Sequence, residues 1–245
     1  MKDLIVIKIG GVAAQKLSSE FLQQLKTWQV AGKKLIIVHG GGVVIESLMQ
    51  ERQLTSQKIN GLRVTSKEAM FVVETALLDL VGQQLTKQFK KVNIDALQLQ
   101  HHLGAVVTAD FLDYETYGYV GQVTQIHPAY LQQLLADGMV PVLASLGQTL
   151  GGEYLNINAD YLATAIASSL GAEELILMTD VKGVLEDEQV LPELATSQVA
   201  QKIEAGIIKG GMIPKIESAA KTVLSGVNRV LIGDNLSTGT FITEG

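Results

Sequence analysis

The chain contains no cysteine. Disulfides, zinc–thiolate sites and thiol nucleophiles are thereby excluded, and a reducing compartment suits it. Proline is scarce, at four residues, and aromatic side chains make up only 5%. Long apolar runs are missing too. None approaches the ~20 residues of a membrane-spanning helix. The apolar start, Met1–Ile9, is short and broken by lysine, unlike a signal peptide. Positive charge is thin: 19 Lys and Arg stand against 25 Asp and Glu, for a net charge of −6. The only adjacent basic pairs are Lys33-Lys34 and Lys90-Lys91, so there is no basic stripe for nucleic acid. The expectation is a cytoplasmic protein with neither nucleic-acid nor membrane partners.

Apolar residues and glycine are plentiful, at 47% and 24 residues of 245. That length suits one large α/β domain or two fused lobes. Leu4–Ile7 and Leu35–Val38 read as buried strands, with helical spacing between them at Leu17, Phe21, Leu22, Leu25 and Trp28. The strands are continuously apolar, which points to a sheet covered on both faces. Helices are expected over Glu68–Phe89, Pro128–Ala136, Asp160–Leu170 and Ile213–Leu224. Further strands are expected at Ile94–Leu99, Ala105–Ala109, Met139–Leu143 and Leu175–Met178. A last strand is expected at Arg229–Ile232. Tyr119–Ile126 alternates like a strand of an antiparallel pair, and Asn60–Val64 reads as a hairpin or lid tip. Alternating β and α elements predict an α/β fold with an open, mainly parallel sheet. The softest boundary, near Gly171–Glu174, divides the chain into lobes 1–172 and 173–245 of one continuous fold.

Five segments carry candidate chemistry. Lys8-Ile9-Gly10-Gly11 ends a strand with a lysine and two glycines whose N–H groups can face an anion. A structural strand-end lysine fits it equally. His39-Gly40-Gly41-Gly42 lies between a strand and a helix, where free N–H groups make an anion site. Neither a Walker loop nor a G-x-G-x-x-G fingerprint is present. Asn60–Thr65 carries Arg63, one of three arginines, whose planar fork suits a carboxylate or serves as a solvated lid residue. Asn156-Ile157-Asn158-Ala159-Asp160 leads into a helix; Asn158 could be its cap and Asp160 a first-turn acid. Gly210-Gly211-Met212-Ile213-Pro214-Lys215 is a second glycine-to-helix turn with a lysine one turn in. Of the histidines, His39 adjoins the glycine triple and can orient it. No spacing suggests a protein-held metal, and no G-x-S-x-G elbow appears.

Phosphoryl transfer to a carboxylate needs no general base, because the acid is already ionised near neutrality. It needs cations and N–H donors around the transferring and leaving groups. Two lysines beside glycine turns, with an aspartate to organise them, would supply these.

Together the five segments, in this order and over almost the whole chain, resemble the amino acid kinase family, and within it the branch that acts on N-acetyl-L-glutamate. The resemblance implies a three-layer αβα sandwich, with an acid-binding and dimerising N-terminal lobe and a nucleotide-binding C-terminal lobe. It implies ATP as donor, with Mg2+ held mainly by the nucleotide phosphates. Lys8 would stabilise the transferring phosphoryl group, Lys215 the leaving side, and Asp160 would organise both. Gly41, Gly42, Arg63 and Asn156 would bind the acid; Gly10, Gly11, Thr179, Asp180, Gly211 and Met212 would contact nucleotide. Gly210 departs from the family pattern, which often has aspartate there. The first strand begins within a few residues of Met1, leaving no room for the extra N-terminal helix of arginine-inhibited hexamers, so an arginine-insensitive homodimer is expected. The alternatives are a kinase of the same fold acting on another carboxylate, and a non-catalytic nucleotide or amino-acid sensor.

Overall fold

The computed structural model describes residues 1–245, the side chain of Val12 excepted. Its strands are β1 (Leu4–Ile9), β2 (Lys34–His39), β3 (Lys58–Ile59), β4 (Leu62–Arg63), β5 (Ala96–Gln98), β6 (Val107–Phe111), β7 (Gly121–Ile126) and β8 (Val140–Ala144). They continue with β9 (Leu146–Gln148), β10 (Tyr154–Asn156), β11 (Glu174–Met178), β12 (Leu185–Glu186), β13 (Gln189–Val190), β14 (Glu193–Ala195), β15 (Arg229–Gly233) and β16 (Thr240–Thr243). The helices are α1 (Gly11–Gln15), α2 (Ser19–Val30), α3 (Gly42–Glu51), α4 (Lys67–Glu74), α5 (Gln83–Lys90), α6 (Tyr114–Tyr117), α7 (Pro128–Ala136), α8 (Ala159–Leu170), α9 (Val199–Glu204) and α10 (Met212–Leu224).

Eight strands form the central sheet in the order β14-β16-β15-β11-β1-β2-β8-β5. Pairing is parallel except where β16 returns against β15. Alternation along β1 explains the layers. Leu4 and Val6 enter one apolar cluster, shared with Leu162 and Ile166 of α8 and Ile216 and Ala219 of α10. Ile5, Ile7 and Ile9 enter a second cluster, with Phe21 and Leu25 of α2 and Leu85 and Phe89 of α5. Successive strand side chains point to opposite faces, so every residue of β1 is buried. Each such aliphatic side chain contributes about 1.5–3 kcal/mol by leaving water. The result is the expected αβα sandwich.

A second, four-stranded sheet has the order β10-β9-β6-β7, and β7 pairs antiparallel with β6 as its alternation suggested. The hairpin β3–β4 turns on Asn60 and Gly61, both at positive φ (50° and 80°). This Asn-Gly pair is the usual two-residue choice for such a turn.

Four expectations need correction. The long helix from Lys67 to Lys90 is not uniformly α: its middle, Thr75–Gly82, is π-helical. Arg229–Gly233 is not the last strand, since β16 follows after a six-residue connection, 234–239. Gly11 does not merely turn; it starts the short helix α1. Between the strand ending at Leu143 and the helix starting at Asp160 the sequence predicts no strand, yet β9 and β10 lie there, too short to show a period.

Candidate active site

Lys8 is an even-numbered residue of β1, so strand alternation directs it to the face of α8 and α10. It is only 9% exposed, and its Nζ donates to the Met178 carbonyl at 3.1 Å on the neighbouring strand β11. Asn158 caps α8, its side-chain oxygen accepting from the Asp160 and Tyr161 nitrogens. Asp160 therefore sits in the first turn, where the helix dipole favours an anion. Its Oδ1 lies 2.9 Å from Lys8 Nζ as an ion pair without hydrogen-bond geometry. Its Oδ2 accepts a hydrogen bond from Lys215 Nζ, also at 2.9 Å. Burial pushes the Asp160 carboxyl up, but the charges of Lys8 and Lys215 outweigh it and hold it below the ordinary aspartate value. One carboxylate thus carries two lysines from opposite ends of the chain.

The two glycine turns near Lys8 touch each other. A Cβ built on Gly11 would lie 2.8 Å from the Gly42 nitrogen and 3.2 Å from the Gly41 carbonyl carbon. Only glycine permits that approach. Gly42 opens α3, so the first-turn N–H groups have no intrahelical partner. His39, wholly buried, contacts the Gly40 oxygen through Nδ1 at 3.2 Å. Burial lowers its pKa to about 4, partly offset by that contact. Its Nε2 has no hydrogen-bond partner among the described residues.

Two pockets flank this centre. The first, about 190 Å3, is lined by Gly41, Gly42, Arg63, Asn156 and Ala159, among others. It is below the ~300 Å3 of drug-sized sites and suits a small ligand. Thr65 ties its walls together, accepting from Asn156 Nδ2 at 3.2 Å and donating to the Arg63 carbonyl at 2.8 Å. The Arg63 fork is buried and already partly engaged: Nη1 donates to Glu46 Oε2 at 2.7 Å and to Ser56. The second pocket, about 370 Å3, is lined by Lys8, Gly10, Gly11, Thr179 and Asp180, with Ala13, Met178 and Asp234.

Ten of the candidate residues are thus brought together at this centre and its two pockets, and Lys215 joins them through Asp160. Gly211 and Met212 line neither pocket; they begin α10 one turn before Lys215. Gly210 has φ +57°. Glycine, asparagine and aspartate enter that region most readily, so the glycine here and the aspartate of the family pattern suit the same backbone. Sequence reading missed Lys58, Ser145, Asn158 and Asp234 as lining residues. Asn158 alone carries a signal, the polar alternation of its segment, and it lines the pocket while capping α8.

A sequence profile described as "Amino acid kinase family" matches residues 3–234. The chain belongs to the amino acid kinase family. Among its relatives in that family is a protein of Streptococcus sanguinis (strain SK36) named acetylglutamate kinase, 64% identical over the full length of both chains. Another of that name, from Listeria monocytogenes serotype 4b (strain F2365), is 40% identical over 97% of this chain and 95% of its own. A crystal structure of a protein from Streptococcus mutans UA159 superposes with a TM-score of 0.93 at 57% identity, covering both chains completely. A carbamate kinase of Giardia lamblia shares the fold, with a TM-score of 0.69 at 16% identity over 99% of this chain and 98% of its own. Among the described residues, no helix of this kinase is long and apolar enough to cross a membrane.

Proposed function

We propose that this chain transfers the γ-phosphoryl group of ATP to the γ-carboxylate of N-acetyl-L-glutamate, giving N-acetyl-L-glutamyl 5-phosphate, the second step of arginine biosynthesis. The observation that carries this reading is the Lys8–Asp160–Lys215 bridge, set beside one pocket fit for a small acid and another lined by Lys8 and paired glycines.

A carboxylate oxygen of the acid forms the new bond to phosphorus. The bond from phosphorus to the bridging oxygen breaks, and ADP leaves with that electron pair. No proton need move, because the carboxylate is ionised. The barrier is repulsion between anions, and the site answers it with fixed charge. Lys8 would neutralise the transferring group and Lys215 the departing ADP, while Asp160 keeps both amines oriented. Gly41 and Gly42 would offer N–H groups beside Arg63 and Asn156, which hold the acid. Gly10, Gly11, Thr179 and Asp180 would meet the nucleotide, with Gly211 and Met212 reaching it from the turn that delivers Lys215.

Magnesium would supply further charge neutralisation on the triphosphate. The donor set suits phosphate-dominated ligation: Asp180 and Asp234 line the second pocket, and no three carboxylate or imidazole groups converge among the described residues. Residues 1–172 would then serve the acid and residues 173–245 mainly the nucleotide. A homodimer working in the cytoplasm completes the reading.

Incubation with Mg-ATP, N-acetyl-L-glutamate and hydroxylamine tests the reading, because hydroxylamine traps an acyl phosphate as hydroxamate. Strong signal with acetylglutamate and little with glutamate or aspartate is expected. Signal only with another acid would overturn the substrate. Silence with every acid, despite ATP binding, would overturn catalysis and leave a sensor.

A further inference from the structure

The glycine turn Gly40–Gly42 rests on the part of the long helix that departs from α geometry. A Cβ on Gly41 would lie 2.6 Å from Leu77 Cδ2 and 3.4 Å from Val81 Cγ2. Both side chains belong to the π-helical stretch Thr75–Gly82. π turns are rare and are held only where something stabilises the widened backbone. Here an inserted side chain does so. Gln98, on the edge strand β5, donates from Nε2 to the Leu78 carbonyl at 2.7 Å. Room for that amide exists because residue 82 is glycine: a Cβ there would lie 2.3 Å from Gln98 Nε2 and 2.6 Å from its Cδ. Neither Gln98 nor Gly82 lines either pocket of the site.

We infer that Gln98 and Gly82 form a lock that holds the π turn, and that the turn, through Leu77, sets the position of Gly41 and Gly42 against the reacting groups. Gln98 is thus a positioning residue acting from outside the site. In an unbroken α-helix Leu77 and Val81, four residues apart, would still share a face, but that face would be rotated relative to α4 and α5, which flank the turn, and would no longer meet Gly41 in the same place. The N–H groups of the glycine turn would then drift from where charge develops, and misplacement of about 1 Å can cost on the order of 10²-fold in rate. The kinetic part of this inference rests on the proposed kinase reaction; the geometric part does not.

Gln98→Met tests it, keeping the volume and removing the donor. Its kcat with acetylglutamate is expected to fall at least about tenfold, with KM for ATP within about twofold, the signature of an interaction lost at the transition state. Gly82→Ala should show the same split. Combined with Gln98→Met it should add little further loss, since both act on one contact. Gln98→Glu should recover activity as pH is lowered and its carboxyl regains a proton to donate. Hydrogen exchange of the Gly40–Ile45 amides is the second readout, and it should quicken in Gln98→Met. If Gln98→Met is insoluble, Leu77→Met, which changes only the surface under Gly41, should give the same kcat loss and faster exchange. Unchanged kcat and unchanged exchange in a folded Gln98→Met, even with lowered thermal stability, would overturn the inference. An inactive wild type would instead sink the kinase reading, and the exchange arm would still decide this one.

Discussion

The glycine turn at Gly40–Gly42 and the one at Gly210–Gly211 both lead into helices that serve the site, yet their surroundings differ. The first is packed at each glycine, Gly11 against Gly42, Leu77 against Gly41, and buried His39 against the Gly40 oxygen, while its other side opens on the small pocket. Around the second, no described atom lies within 4 Å of a Cβ placed on Gly210 or Gly211. Lys8 shares the first character, held on a central strand, whereas Lys215 hangs on a helix reached through the open turn. A site that must fix developing charge and also release a product needs both kinds of support. Close packing holds the N–H donors still; in the proposed reaction the open turn would let Lys215 shift with the leaving group when its bond to Asp160 allows.

The sharpest test of that contrast is at the lysines. Lys8→Met should cost on the order of 10³-fold in kcat, the upper range for one lost electrostatic group, while leaving ATP binding measurable by calorimetry. A loss of ATP binding with normal folding would show that Lys8 serves the ground state instead. Next come the glycines. Gly11→Ala should lower kcat on the order of 10²-fold, because the new methyl must separate the two turns. Gly211→Ala, at φ −66° in open space, should stay within about twofold. Equal effects at the two positions would end the distinction.

A third prediction concerns pH. His39 binds its proton in the folded state only near pH 4, but near 6.5 when unfolded. Between those values the unfolded chain holds more protons, so stability falls as pH drops through that window. From pH 7 to pH 5 the loss should be about 2 kcal/mol by urea titration, and His39→Asn should remove most of it. The smallest effect belongs to the open turn. Gly210→Ala, at φ +57°, should cost about 1 kcal/mol, or a few degrees in Tm. Gly210→Asp should cost less, without much change in kcat.

The same contrast sorts what could be read from sequence. Strands buried on both faces show as unbroken apolar runs, so β1, β2, β8 and β11 were legible within a residue or two. Asn158 and Gly171 mark the ends of α8 by cap chemistry. Three-residue strands such as β9 and β10 leave no period to detect, and β16 hid behind a turn-rich connection. The lysine pair and Asp160 were legible as a set of motifs in order, although nothing local to Lys215 announced its partner. Contacts made by backbone were not legible. The Met178 carbonyl that steadies Lys8 belongs to no motif, and neither does the approach of Gly11 to Gly42. The π turn escaped because its apolar residues still satisfy helical spacing over Glu68–Phe89.

One feature of the sheet reaches into the life of the nascent chain. β1 lies between β2, some 30 residues onward, and β11, whose Met178 is 170 residues from Lys8. At ~5–20 residues per second of synthesis, one side of the first strand waits roughly 10–35 s for its neighbour. Through that interval a strand edge apolar but for Lys8 stands open, a template for pairing with the wrong chain. The kinase centre therefore cannot assemble progressively as the polypeptide emerges. It forms late, after residues 174–178 close the gap beside β1 and Lys215 arrives to meet Asp160, and a ribosome stalled before that point would leave a fragment prone to aggregation and with no trace of activity.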